Sequence, residues 1–241
     1  MRILIINGSP RGKNSSSLRL TMALAEGLRR EGDEVETVDI SKLDIQGCRG
    51  CFGCWASGGT CVIKDDFFAI FKERYLPSEL VIWSFPLYFY GIPSKLKAFI
   101  DRKFINDWPD MTLEKDGSPT HPSRWDDSHI SHIVVSTCGF FTAEGLYDAV
   151  LANFRLMHRE KFKEAITCGE GGCFINGKSS EFTARYLELV KKAGGEYRQK
   201  GSFSEETRAA LMQPVEPHEQ YLKASQGANP LWKYSQRPKE R

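Results

Sequence analysis

Apolar positions along the chain fall into five short runs separated by amphipathic stretches. Arg2–Asn7 (RILIIN) is a β-branched run that reads as a buried strand. A polar turn, GSPRGKNSSS, follows it. SSLRLTMALAEGLRREG then places Leu18, Met22, Ala25 and Leu28 on one face, which predicts an amphipathic helix ending near Gly32. EVETVDI predicts the second strand. A cysteine-bearing loop runs from about Asp44 to Lys64, and Asp65-Asp66 is the expected cap of a helix over about residues 65 to 76. ELVIWSFP is apolar enough to be a central third strand. PLYFYGIP reads as a loop and PSKLKAFIDRKF as a helix, with Pro93 near its first turn. Residues 107–128 are polar and punctuated by prolines, a long excursion. HISHIVVSTC is the fourth strand, GLYDAVLANFRLMHR a helix, AITCG the fifth strand, and SSEFTARYLELVKKAGGEY the last core helix. From Ser202 the chain is a proline-marked tail with a helical stretch around Pro217 to Ala224.

Strands that alternate with helices predict a parallel sheet covered on both faces. Five such strands suit an α/β doubly wound, flavodoxin-like sheet of order 2-1-3-4-5. The expected organisation is one domain over residues 1–201 and an extension over 202–241 that packs on the core or on a partner subunit through residues such as Tyr221 and Trp232. In such sheets ligands bind at the carboxyl ends of the strands, where the strand order reverses. That rule selects the loops after Asn7, Phe85 and Cys138.

The 241 residues are 41% hydrophobic and 27% charged, ordinary for a globular chain. A net charge of +2 argues against a dedicated nucleic-acid binder, and Arg237, Lys239 and Arg241 read as a solvated tail. No stretch approaches the ~18 apolar residues of a membrane span. The run Ile3 to Ile6 lacks the features of a secretory signal, so the expected location is the cytoplasm, away from membranes. Thiols stay reduced there, and clustered cysteines then point to metal or catalysis before disulfides.

The loop GSPRGKNSSS comes close to two nucleotide motifs and matches neither. Gly8 and Gly12 are too near each other for a Walker A loop, and Asn14 stands where Ser or Thr should follow Lys13. The dinucleotide pattern G-x-G-x-x-G is absent. What remains is a hydroxyl-rich loop opening into a helix N-terminus, a cradle for a metal-free phosphate or, alternatively, a plain helix cap. Arg11 adds a cation. The second loop, FPLYFYGIPSK, offers an aromatic wall for a flat ring, with Pro86 and Gly91 allowing close backbone approach. The third, STCGFF, offers backbone donors at Thr137 and Gly139. One phosphate site and two surfaces for a flat heterocycle at one sheet edge match FMN.

GSPRGKNSS after strand one, PLYF at the end of strand three and the helix KLKAFIDR resemble the NAD(P)H-dependent FMN reductase group of flavodoxin-like proteins. The stretch GCRGCFGCWASGGTCVIKDDF resembles its iron–sulfur flavoprotein branch. The resemblance implies FMN-phosphate contacts from Ser9, Arg11, Asn14, Ser15 and Ser16, and ring contacts from Pro86, Leu87, Tyr88, Phe89, Thr137 and Gly139. It implies NAD(P)H as electron donor and a [4Fe–4S] cluster on Cys48, Cys51, Cys54 and Cys61. It further implies a homodimer or higher homo-oligomer. The phosphate loop departs from the family pattern, carrying Lys13-Asn14-Ser15 where Gly-Asn-Thr or Gly-Asn-Ser is common.

Read as residues alone, the spacing C-x2-C-x2-C-x6-C leaves four options open: an iron–sulfur cluster, zinc, a redox thiol pair, or a loop of reduced thiols. Trp55 is expected to pack or to wall the flavin. The carboxyl-end rule puts the cysteine loop on the FMN side of the sheet. Cys138, Cys168 and Cys173 read as buried small hydrophobes, and the five histidines show no ligand spacing. The function expected is an FMN-dependent oxidoreductase that passes electrons from NAD(P)H to a small quinone-like acceptor or through the cluster. No side chain needs to act as general acid or base. The alternative is a non-catalytic electron carrier or redox sensor that docks a redox protein.

Overall fold

The structure is a computed structural model, and it describes residues 1–175 and 180–227. Trp232 and the basic end lie outside the described residues. Five parallel strands form the sheet: β1 (Arg2–Asn7), β2 (Glu34–Asp39), β3 (Leu80–Pro86), β6 (Ser131–Thr137) and β7 (Phe162–Cys168). Their order is β2-β1-β3-β6-β7. This is the doubly wound, flavodoxin-like arrangement. A two-residue hairpin pair, β4 (Thr112–Leu113) and β5 (Pro119–Thr120), was not legible in the sequence and sits inside the excursion.

The central strands β1, β3 and β6 are almost wholly buried, whereas the edge strand β7 alternates between buried and accessible positions and the edge strand β2 buries only Val38. That is how a parallel sheet with covered faces separates centre from edge. One face carries α1 (Ser16–Leu28) and α6 (Glu181–Lys200). Ile3, Ile5, Ile82 and Val135 meet Leu20, Leu24 and Val190 there. α1 and α6 approach closely because glycines face each other. A Cβ on Gly27 would stand 1.9 Å from the Lys191 carbonyl oxygen, and one on Gly194 would stand 2.2 Å from that of Leu24. Leu18, Ala25 and Leu28 face inward as expected, Leu20 and Leu24 join them, and Met22 is exposed.

Between β2 and β3 lie the four-residue helix α2 (Gly53–Ala56) and α3 (Phe67–Ile70), which continues as a π turn over Phe71–Tyr75. Asp65, not Asp66, accepts from the first backbone amide of α3, Phe67, at 3.2 Å, while Asp66 accepts from Asp44 N. α3, α4 (Ser94–Arg102) and α5 (Asp148–His158) cover the second face, where Phe67, Phe71, Trp83, Phe99 and Phe154 pack. Beyond Gly201 the chain forms α7 (Glu205–Leu211) and α8 (His218–Gly227). Phe203, Leu211, Val215 and Tyr221 from this segment join the same core as α1 and α6. No described helix is long and apolar enough to cross a membrane.

Candidate functional site

The strand ends bring together the three loops that the topology selected. Asn7, at the end of β1, is fully buried and braces the first loop. Its Nδ2 donates to Gly12 O (3.1 Å), and its Oδ1 accepts from Ser9 N (3.2 Å). Ser9 is buried, and its Oγ accepts from Arg11 N at 3.3 Å. Gly12–Asn14 is a single 3-10 turn, with the side chains of Arg11 and Asn14 exposed. Ser15 caps α1, its Oγ accepting from Leu18 N at 3.3 Å, and Ser16 opens the helix. First-turn amides have no carbonyl partner within their own helix, so this end of α1 presents positive charge and donors to an anion.

The second loop departs from expectation in its backbone. Tyr88 and Gly91 exchange two hydrogen bonds, 3.1 and 2.9 Å, around a two-residue turn. The left-handed residues of that turn are Phe89 (φ 50°) and Tyr90 (φ 61°), not Gly91. Turns of this kind favour Asn and Gly, so two aromatics here hold strained backbone. Tyr88 and Tyr90 are half exposed, Phe89 is fully exposed, and Tyr90 stacks on Phe140 at 6.1 Å. Leu87 is buried and its amide donates to Thr137 O at 2.9 Å. Pro86, half-buried at the end of β3, offers no amide donor.

In the third loop Thr137 serves the fold. Its hydroxyl pairs with Ser17 Oγ at 2.8 Å, and next to it Thr21 Oγ1 donates to Ser84 Oγ at 2.9 Å. Ser17 and Thr21 are buried one helical turn apart, and their i, i+4 spacing is visible in the sequence. Gly139 accepts from Tyr221 OH at 2.9 Å, and a methyl group on Gly139 would meet nothing within 4 Å. The three loops stand side by side at one sheet edge, with Gly8 N donating to Ser84 O at 2.8 Å and Leu87 N to Thr137 O at 2.9 Å. That donor set and shape fit FMN.

Cys48, Cys51, Cys54 and Cys61 are free thiols lining one cavity of about 220 Å³ with Arg102, Phe104 and Ile105. Burial pushes the Cys54 thiol up, and the nearby charges of Cys61 and Cys48 add to the effect. Among the described residues no three Cys, His, Asp or Glu side chains gather closely enough to share one ion. The sulfurs thus share a cavity wall rather than a point. No residue of the flavin-edge loops lines this cavity. Its wall takes Arg102, Phe104 and Ile105, at and just beyond the C-terminal end of α4, whereas Pro86–Gly91 precede the start of that helix.

The excursion folds over the cysteine loop of its own chain. Asp107 bridges to Ser123, and buried Asn106 accepts from Trp125 N at 2.9 Å and donates to Trp125 O at 3.2 Å. Trp55 packs on Phe104 (4.8 Å) and His121 (5.6 Å), away from the flavin edge. Cys138, Cys168 and Cys173 are buried, as expected of small hydrophobes. The histidines hold a surprise. His132 and His158 stack at 3.6 Å inside the core, with Trp83 Nε1 donating to His132 Nδ1 at 3.2 Å. Burial holds both well below the usual histidine value, and the charges of Lys103 and Lys161 push the same way. Burial also brings the Lys103 ammonium down to about 8.

A family model described as the flavodoxin-like fold matches residues 1–158. The chain belongs to that family. Within the flavodoxin-like group, it is 40% identical over 102 residues to an iron-sulfur flavoprotein of Archaeoglobus fulgidus, covering 42% of this chain and 45% of the relative. It is 30% identical over 112 residues to an FMN-dependent NADH:quinone oxidoreductase of Ralstonia nicotianae, covering 42% and 53%. The chain therefore spans about half the length of the curated relatives it matches. The FMN-dependent NADH-azoreductase of Bacillus anthracis, solved with FMN, shares the fold at a TM-score of 0.54 and 15% identity, over 83% of this chain and 99% of that one.

Proposed function

We propose that this flavodoxin-like chain is an NAD(P)H-dependent FMN oxidoreductase of the iron–sulfur flavoprotein kind. The observation that carries the reading is the convergence, at one sheet edge, of a braced phosphate loop at the start of α1 with the strained aromatic turn Tyr88–Gly91. A bound FMN supplies hydride exchange with a nicotinamide and onward transfer of electrons, chemistry no side chain provides. Ser9, Arg11, Asn14, Ser15 and Ser16 would hold the phosphate through hydroxyls, first-turn amides and one guanidinium. Pro86, Leu87, Tyr88 and Phe89 would face the ring, with Gly139 leaving room beside it and Thr137 steadying the strand end through Ser17. The left-handed aromatics keep their rings out of the core, where a flat ligand or a quinone-like acceptor can stack.

Cys48, Cys51, Cys54 and Cys61 are the donor set for a [4Fe–4S] cluster. Four thiols on one cavity wall, with a buried arginine in that wall, suit an anionic group. Residues 1–201 are read as the FMN-binding domain and 202–241 as its extension. The bared rings of Tyr88, Phe89, Tyr90, Phe140 and Phe141 favour a second copy of the chain as partner. A cytoplasmic location follows from the reduced thiols the site requires.

Protein purified without oxygen tests the whole reading. Two flavin bands in the visible spectrum, plus a broad shoulder that fades in air, are expected, together with steady NAD(P)H oxidation in the presence of a quinone. A colourless protein overturns the FMN assignment. Flavin with iron at background overturns the cluster, and flavin without turnover on any quinone overturns the enzyme.

A further inference from the structure

Arg102, the last residue of α4, is 1% exposed. It pairs with Asp65, whose side chain is 0% exposed. Its guanidinium also reaches Gln46 O and Ile63 O, each at 3.4 Å, and lies 4.4 Å over the Phe67 ring. Asp65 in turn accepts from Gln46 N at 2.9 Å. Gln46 stands two residues before the first cysteine of the motif, Cys48, and Ile63 two residues after the last, Cys61. One buried ion pair thus joins both stems of the cysteine loop to the end of α4. Arg102 is also part of the cavity wall that the four cysteines line, and its Nε, buried, has no hydrogen-bond partner among the described residues. A buried donor without a partner is costly unless a ligand completes it.

We infer that Arg102 is a positioning residue for the cysteine-bound group: it closes the neck of the loop and sets the potential of a [4Fe–4S] cluster through its charge and its Nε–H. The inference rests on the cluster proposed above. Four thiolates around such a core leave a net negative charge, and reduction adds another. A cation held in the wall at low dielectric favours the reduced state, and hydrogen bonds to cluster sulfurs act in the same sense. Asp65, on the opposite side of the pair, opposes it.

A merely structural staple and an electrostatic one predict different patterns. Arg102→Gln and Asp65→Asn both break the staple, but they remove charges of opposite sign. The protein is reconstituted anaerobically with iron and sulfide, and the cluster midpoint is followed by its electron paramagnetic resonance signal in a redox titration. Flavin absorbance and near-ultraviolet circular dichroism report that the fold is intact. The expected result is a midpoint shifted to more negative potential in Arg102→Gln, to more positive potential in Asp65→Asn, and back toward wild type in the double variant D65N/R102Q. The double variant also covers the case in which one buried charge left alone prevents folding. Midpoints that shift in the same direction in both single variants, or an unshifted one in either, overturn the inference while leaving the cluster in place. Wild-type protein that takes up no iron overturns the cluster itself, and this inference with it.

Discussion

Gly59, in the cysteine loop, lies against Trp125 of the excursion so closely that a methyl group at the glycine would stand 2.6 Å from the indole Cη2 and 2.5 Å from Arg124 Cδ. Its φ of +94° is in the region where a side chain is strained. Gly59→Ala therefore carries both a backbone and a packing penalty. A loss of about 1–3 kcal/mol is expected, read as a lower urea midpoint. Faster alkylation of the cysteines should accompany it, because the excursion is pushed off the loop.

Phe89 and Tyr90 occupy turn positions that Asn and Gly favour. Tyr90→Gly should relieve strain and raise stability by up to about 1 kcal/mol, seen as a higher melting temperature of flavin-free protein. The same change removes the ring stacked on Phe140. Weaker FMN retention in an equilibrium dialysis experiment is the second expectation, and unchanged affinity would remove Tyr90 from the site.

Asn7 holds the phosphate loop from below through its two side-chain hydrogen bonds. Asn7→Ala leaves Gly12 O and Ser9 N without these partners. The cost should be about 1–3 kcal/mol, and FMN should be released more readily. Added inorganic phosphate should protect wild-type apoprotein against thermal unfolding more than it protects the variant.

His132 and His158 are held neutral by burial, below the usual histidine value of 6.5. Above that pH both are neutral in the folded and the unfolded chain, and they contribute no slope. As the pH falls through about 6.5, the unfolded chain binds two protons that the folded chain refuses, so stability decreases. His158→Phe keeps an aromatic ring beside His132 and removes one of these protons. It should lessen the decline by up to about 1.4 kcal/mol per pH unit, measured as urea midpoints at pH 5 and pH 7. Equal declines in both proteins would exclude His158 as a source.

The sheet and its order were legible because the central strands read as unbroken apolar runs and the helices as periodic ones. The turn between β1 and α1 was legible for a simpler reason: it is local, and its hydroxyl-rich sequence directly precedes the helix that it opens. Arg102 was not. In the sequence it is one cation in the helix KLKAFIDR, and only the return of that helix along β3 turns it toward Asp65. The same holds for His132 and His158, which are far apart in sequence and meet through the register of β6 beside α5. The Tyr88–Gly91 turn misled in the opposite direction, since its glycine is ordinary and its aromatics take the unusual backbone. Contacts between distant segments carry no sequence period, and the excursion lying on the cysteine loop is of that kind.

α4 is nine residues long and begins just after the aromatic turn. It therefore acts as a ruler of about 13 Å at ~1.5 Å per residue. Adding one residue to it would rotate Arg102 by about 100° and carry it away from Asp65. The distance in sequence from the flavin edge to the cysteine neck is thus set by helical phase and cannot drift by single insertions. The hairpin of the excursion, which begins ten residues after Arg102, has no such phase to keep. A newly acquired segment could enter the chain at the tip of that hairpin without changing the phase of α4.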